Sequence, residues 1–486
     1  MEVLDNIKKY RYHIFLLINI LWVWLLLSPN IYYFDDNYRA AGGYYNWGGD
    51  FRPFADWLYY ILGMGVSFTD LTPLPQIFAL FFLYTIYFLY LKNYAYNKIT
   101  ILNLLVFIPI VWSPFLLSNL YFRYDSIFML LAMLLSVLAI FDVNNKKYFR
   151  ATLFLFIACG LYQPAIVAYV CTALFLVYNI KNDDKNKMFK LWFKQSLIYF
   201  FVFLAGILVY YFTVMRFTTD YNFYSATHSQ MSIQNLIPNI IKVIQEVGVI
   251  FKGDTGSIFF AIFSYLILIN LIFLVKKFSY LGVIIFFTIQ LGFILSGAGV
   301  NLLLDVPRLE YRTFIFYGFY VSYLLLSALY IINIEKYKNY NNAVLFFVSF
   351  YFLSIALSIS SAQKIKKSFE DYLIISIVEN LYNFNYNKNQ NIIFYGEYTP
   401  YIVHQIFNKY PIARGVVSET ISHTYKLQNY FPYQLPSRRF RTNSEKFKYF
   451  ETNKINYNVV EEKRFYTIYR NKDEVIFYFN SDEYYK

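Results

Sequence analysis

ATLFLFIACGLYQPAIVAYVCTALFLVY, residues 151–178, is the stretch on which the topology turns. It exceeds the ~20 residues a helix needs to cross about 30 Å of hydrocarbon. Gly160-Leu161-Tyr162-Gln163-Pro164 interrupts it. Either one tilted helix kinks at this break, or two short helices meet there in a tight turn. The flanking charges choose between them. Lys146, Lys147 and Arg150 precede the stretch, and the run KNDDKNKMFK, residues 181–190, follows it. Basic residues in short loops mark the cytoplasmic side. With both flanks inside, the chain must enter and return, and Tyr162 and Gln163 stand at the outer turn. Two helices shorter than usual are tolerated when their neighbours bury them as a re-entrant pair.

The remaining apolar stretches fall into place around this hairpin. They begin near Ile14, Gln76, Thr100, Ser126, Trp192, Ser257, Leu281, Thr313 and Ala343. Lys8, Lys9 and Arg11 put the N-terminus in the cytoplasm. Lys92 and Lys98, Lys276-Lys277 and the segment IEKYKNYNN then also face inward. The first apolar stretch ends near Ser28 without a small-residue cleavage site, so it reads as a retained span and not as a signal peptide. The outer side receives Pro29–Pro75, Ser113–Asp125, Arg216–Gly256, Gly297–Arg312 and the chain after Ser361.

Composition agrees with a lipid solvent. The 486 residues are 58% hydrophobic and 23% aromatic, with 15% charged against about 25% in soluble chains. The fold class expected is an all-α polytopic membrane protein. The formal charge of +13 lies largely in loop lysines that anchor topology, and no nucleic-acid motif accompanies it, so nucleic acid is not an expected partner. Cys159 and Cys171 share one apolar stretch and read as packing residues. His13, His228, His404 and His423 are scattered without metal-ligand spacing.

From about Ala362 the long apolar runs vanish. The boundary expected is a membrane domain over 1–361 and a small extracytoplasmic α/β domain over 362–486. Within it, FEDYLIISIVENLYNF and PYIVHQIFNKY read as helices. NIIFYG reads as a strand ending at Gly, and NVVEEKRFYTIYR and DEVIFYFN as two late strands. Such a module suits acceptor binding or simple capping equally.

The densest polar constellation follows the first span: Asp35, Asp36 and Arg39, then Trp47 and Arg52-Pro53. Adjacent carboxylates raise each other's proton affinity, which poises one as a general base. Arginine forks hold phosphate. The same pair also suits a plain interfacial helix end. Arg123 and Asp125 close the second outer segment, as substrate ligands or as an interfacial charge pair within an aromatic belt. Tyr162 and Gln163 sit at the hairpin turn. Pro307-Arg308 precedes a late span, with Arg308 as a phosphate ligand and Arg312 as a helix-end anchor. Transfer from a lipid-phosphate sugar needs little more: charge stabilisation for a leaving phosphate and a base for the attacking hydroxyl. A lipid-tethered donor also requires the site to lie at the membrane face.

These motifs, in this order over roughly residues 1–330, resemble the type II glucosyltransferase family of bacterial membrane proteins, which modify lipopolysaccharide O-antigen and related surface glycans. The matching residues are Asp35-Asp36-x-x-Arg39, Trp47 with Arg52-Pro53, Ser118-Asn119-x-x-x-Arg123-Tyr124-Asp125, Tyr162-Gln163 and Pro307-Arg308. The family reads Gly-Arg-Pro where this chain has Gly49-Asp50-Phe51-Arg52-Pro53. The resemblance implies a GT-C-type fold in the bacterial inner membrane, with its site on the periplasmic side. It implies a polyprenyl-phosphate hexose donor, a surface-glycan acceptor, and Asp35 or Asp36 as base. Some GT-C enzymes use a divalent metal, a question these carboxylates leave open. A surface-polysaccharide polymerase or ligase shares the long outer loops. A flippase would need ionisable residues deep within the spans, whereas here the charges gather at span ends.

Overall fold

A computed structural model describes residues 2–65, 67–95, 100–217, 232–297, 299–331, 338–396, 398–417, 424–431, 435–436, 438 and 443–479. Lys98, His228, His423 and residues 334–337 of IEKYKNYNN lie outside these.

The chain is mostly helical. Helices α1 (Glu2–Leu27), α2 (Asp36–Gly42), α3 (Pro53–Leu62), α4 (Leu74–Tyr94), α5 (Ile101–Trp112) and α6 (Leu117–Tyr121) lead to α7 (Ser126–Asn144) and α8 (Tyr148–Leu161). Then come α9 (Val167–Leu174), α10 (Leu176–Asn179), α11 (Lys185–Thr213), α12 (Leu236–Gly248), α13 (Gly256–Phe278), α14 (Leu281–Ser296), α15 (Phe316–Ile331) and α16 (Lys338–Asn383). Among the described residues six helices, α1, α4, α7, α11, α13 and α16, are long and apolar enough to cross a membrane. Five shorter apolar helical segments accompany them, including Tyr148–Leu161 and Gln163–Asn179. The protein is a helical polytopic membrane protein.

Tyr162 is extended, with φ −162° and ψ 100°, and separates the two short helical segments. Its neighbour Gln163 donates to the Phe51 carbonyl at 2.8 Å, in the loop that follows α1 and α2. At the other end of the return segment, Lys277 Nζ donates to the Val177 carbonyl at 2.6 Å. The Phe175 ring lies 5.3 Å from Tyr94 at the close of α4. The segment thus turns at Gln163 beside the Phe51 loop and returns to the end of the bundle marked by Tyr94 and Lys277.

Helix α5 rises only about 18 Å, well short of the ~30 Å of a bilayer core. The following stretch, 113–125, is not a solvated loop: every residue in it is buried. Outside the short α6 this backbone is non-helical, which buried chain tolerates only where protein surrounds it; residues 29–75 and 311–317 pack against it.

Helix α16 continues without a break through Ser361. The fall in hydropathy near Ala362 is not where the helix ends. FEDYLIISIVENLYNF is its last part. Beyond it, β1 (Asn391–Tyr395), β2 (Asn458–Glu462), β3 (Tyr466–Arg470) and β4 (Glu474–Phe479) form one sheet in the order β1-β4-β3-β2. β1 pairs with β4 in parallel and the other pairs are antiparallel. NVVEEKRFYTIYR is therefore not one strand but a hairpin, because Lys463–Phe465 turns the chain between β2 and β3. One sheet face packs Ile392, Phe394 and Phe477 on Leu373, Ile377 and Leu381 of α16. The other packs Ile393, Tyr395 and Ile476 on Phe450, in the helix Asn443–Asn453. Helix α17 (Tyr401–Lys409) and the short α18 (Ala413–Val416) behave differently. Their Val403, Ile412, Ala413 and Val416 join the core of the helical bundle.

The hairpin has a direct test in a cysteine-free background. Asn145→Cys and Lys181→Cys should react with an impermeant thiol reagent from the same face of sealed vesicles, and Met64→Cys from the opposite face. Labelling of positions 145 and 181 from opposite faces would replace the hairpin with one kinked span.

Candidate active site

Two carboxylates bind the loop after α1 to the buried 113–125 segment, each reaching into the other's territory. Asp36 is fully buried. Its Oδ2 accepts the backbone N–H groups of Tyr33 at 2.9 Å and of Arg123 at 2.8 Å. Burial, with Asp125 nearby, pushes its carboxyl well above the ordinary range against the pull of those two N–H groups. Asp125 answers from the other side. Its Oδ1 accepts Trp47 Nε1 at 2.6 Å and lies 3.5 Å from Arg52, and its Oδ2 lies 3.7 Å from Arg39. The Arg39 guanidinium also stacks over Trp47 at 4.0 Å, a contact that holds a cation against an aromatic face.

Above this lattice opens a cavity of about 710 Å³. Its charged lining is Asp35, Asp50, Glu310, Arg39, Arg52, Arg308 and Arg312. Asp35 and Asp36, adjacent in sequence, therefore part company. The Asp35 side chain is 56% exposed and lies 3.6 Å from Arg312, while Asp36 turns away into the protein. The Nε atoms of Arg39 and Arg52 make no hydrogen bond among the described residues. Buried guanidinium donors without acceptors are rare away from functional sites.

The other sequence-derived residues support the cavity from outside. Arg123 points away from it, donating to Asp70 at 2.7 Å and to Asn30, with its guanidinium 4.1 Å from the Tyr32 ring. Asp70 is held below its usual range: burial would raise it, but the Thr72 hydroxyl and N–H, with Arg123, outweigh that. Tyr162 lies under Arg52, its ring 5.3 Å from the guanidinium. Phe51 has a left-handed backbone, φ 60°, which is costly for a bulky residue. Gln163 and the Tyr210 hydroxyl both donate to its carbonyl and fix that turn. So Tyr162 and Gln163 aim Arg52 and do not themselves face the cavity.

Arg312 was expected to anchor a helix end, yet it lines the cavity beside Asp35 and pairs with Glu310. Arg312 lies in the 3-10 turn Tyr311–Thr313 that follows the extended residues 307–310, so no alternating spacing marks it for the cavity. Tyr210 and Gly415 likewise reach the site from distant segments and carry no local mark. Each cavity carboxylate pairs with a guanidinium: Asp35 and Glu310 with Arg312, and Asp50 with Arg52 at 3.9 Å. That donor set does not fit a divalent cation. Among the described residues no group of three His, Cys, Asp or Glu side chains gathers to hold one.

Removing Asp125 leaves the Trp47 N–H without its acceptor and takes from Arg39 and Arg52 the carboxylate they share, while Arg39 keeps the Tyr45 carbonyl and Arg52 keeps Asp50. Asp125→Ala should cost about 1–3 kcal/mol of stability, read as a lowered melting temperature in detergent. Asp125→Asn keeps the Trp47 hydrogen bond and should cost visibly less. Equal melting of both variants and the wild type would show that Asp125 ties nothing together.

Comparison with known proteins bears on the whole of this region. The chain is similar to an uncharacterised 55.3 kDa protein from the region 5′ of gtrB in Salmonella phage P22, at 25% identity over 264 residues. The similarity covers 51% of this chain and 53% of the phage protein, so the chain spans about half the length of the curated relative it matches. No solved structure matches it. The family model described as Glucosyl transferase GtrII matches residues 24–319, a range that takes in every charged residue of the cavity. On that match, the chain belongs to the glucosyl transferase GtrII family.

Proposed function

We propose that this protein is a membrane glucosyltransferase of the GT-C type. It moves a hexose, glucose by family, from a polyprenyl-phosphate donor to lipopolysaccharide O-antigen or another surface glycan. The observation that carries the proposal is one cavity in which Asp35 shares space with Arg39, Arg52, Arg308 and Arg312. Membership of the GtrII family supports glucosyl transfer.

The chemistry needs a base and an anion cradle. Asp35 takes the proton from the attacking acceptor hydroxyl. The hydroxyl oxygen bonds to the anomeric carbon as that carbon's bond to the donor phosphate oxygen breaks, with inversion. The phosphate departs with the bonding pair and needs charge stabilisation more than a proton. Arg39, Arg52 and Arg308 supply it by forked hydrogen bonds. Arg312, 3.6 Å from Asp35, aims the base. Asp36 keeps the loop in place.

The proposed setting is the bacterial inner membrane with the cavity on the periplasmic side. The lysine-rich loops at the far end of the bundle support that orientation. Trp57, Tyr60 and Ile61 of α3, close to the cavity in sequence, are exposed, as an interfacial aromatic helix beside a lipid-borne donor would be. The acceptor arrives from the aqueous side, where Asp35 and Glu310 are open to solvent.

Membranes supplied with undecaprenyl-phosphate glucose and a glycan acceptor provide the test. Asp35→Asn should lower transfer by about 10²–10⁴-fold, with insertion and melting temperature unchanged. Full activity of Asp35→Asn would remove it as the base. A deletion strain that loses glycan chain-length control but keeps its side-branch glucose would point to a polymerase instead.

A further inference from the structure

The segment after α16 does more than extend the protein into water. Residues 409–417 are wedged among three loops at the cavity end of the bundle. Gly253 stands so close that a Cβ there would meet the Lys409 carbonyl at 2.3 Å and Pro411 at 2.9 Å. Tyr33, in the loop that carries Asp35, donates its hydroxyl to the Val416 carbonyl at 2.7 Å. Gln363 of α16 donates to the same carbonyl at 3.1 Å. Gly415 lies against the ring of Tyr311, where a Cβ would fall 2.2–2.6 Å from three ring carbons. Gly415 also lines the cavity.

Tyr311 opens the 3-10 turn Tyr311–Thr313, between Glu310 and Arg312 and just after the extended residues 307–310. Its ring is buried against Phe115, 5.1 Å away, in the buried 113–125 segment. The neighbouring Arg312 carbonyl accepts Asn119 Nδ2 at 3.1 Å. The run that brings two arginines to the cavity is therefore clamped between 113–125 on one side and the 412–417 turn on the other. Only a residue without a side chain leaves room for the ring.

We propose that the 412–417 turn is a structural wall of the cavity that seats the Arg308–Arg312 run, with Gly415 as a positioning residue for the phosphate-binding arginines. The phosphate role rests on the function proposed above; the seat itself does not. A Cβ at 415 pushes the Tyr311 ring and shifts the guanidiniums on either side of it. Displacements near 1 Å at a binding constellation are costly.

Two measurements on the full-length protein in detergent separate the seat from the donor. Amide exchange reports the seat without any ligand. Gly415→Ala should speed exchange across residues 308–314, and Tyr311→Leu in the same chain should restore protection by making room for the methyl group. Undecaprenyl phosphate binding reports the consequence: Gly415→Ala should weaken it roughly tenfold or more, with recovery in the double variant and little change in melting temperature. Should Gly415→Ala fail to fold, Tyr33→Phe removes one hydrogen bond from Val416 and should speed exchange over 412–417 and 308–314. Unchanged exchange in the folded variants overturns the proposal. Faster exchange with unchanged undecaprenyl phosphate binding also overturns it, because the arginines would then not depend on the seat. A wild-type protein that binds no undecaprenyl phosphate sinks the donor assignment, while the exchange data still decide the seat.

Discussion

An irregular stretch of backbone lies buried at the heart of this protein, and the two carboxylates that satisfy it organise everything around the cavity. Residues 113–125 have no helix long enough to use up their own N–H and C=O groups, and each such group left unmatched in a dry interior is expensive. Asp36 reaches in to accept the Arg123 N–H. Asp125 reaches out to hold Trp47, Arg39 and Arg52. The exchange is reciprocal, so neither segment holds its shape without the other. The cavity stands on this joint.

That joint explains a division of labour between adjacent aspartates. A single turn of helix cannot point consecutive side chains the same way, so when Asp36 is committed to the interior, Asp35 is turned toward the cavity. Charge follows the same logic. Asp125 beneath the cavity and Asp35, Asp50 and Glu310 within it hold the guanidiniums of Arg39, Arg52 and Arg312 close together, a cluster that would otherwise repel itself. Arginine suits this use because its charge is delocalised and its planar fork leaves donors free to turn toward a second anion. The pairing with carboxylates assembles the cluster in advance of any substrate.

The family match ends at residue 319, yet the cavity does not. Gly415 and Val416 come from beyond that limit and touch the loops that carry Asp35 and Arg312. The polar region after Ala362 thus contains two unlike parts. The sheet and its two covering helices have their own cores, whereas 401–417 belongs to the bundle. A region that is chemically uniform in sequence serves two structures, one of them part of the site.

The sequence by itself determined which segments are apolar enough for a membrane. Apolar length marked them, and the break at Tyr162-Gln163 within 151–178 was legible, because hydrophobic transfer acts residue by residue along the chain. The arginines, Asp35 and the turn at Tyr162 and Gln163 were legible for the same reason: polar groups at the end of a span must have a purpose or a partner. Tertiary structure alone decided which was which. It sent Asp36, Arg123 and Asp125 into the scaffold, promoted Arg312 from anchor to cavity wall, ran α16 unbroken through a compositional boundary, and brought Gly415 to a site nearly 400 residues from Tyr33 in the chain, 383 positions counted to Val416. Those outcomes depend on which buried donor meets which acceptor across distant segments, and such pairing is set by three-dimensional packing, which leaves no period or spacing in the sequence to read.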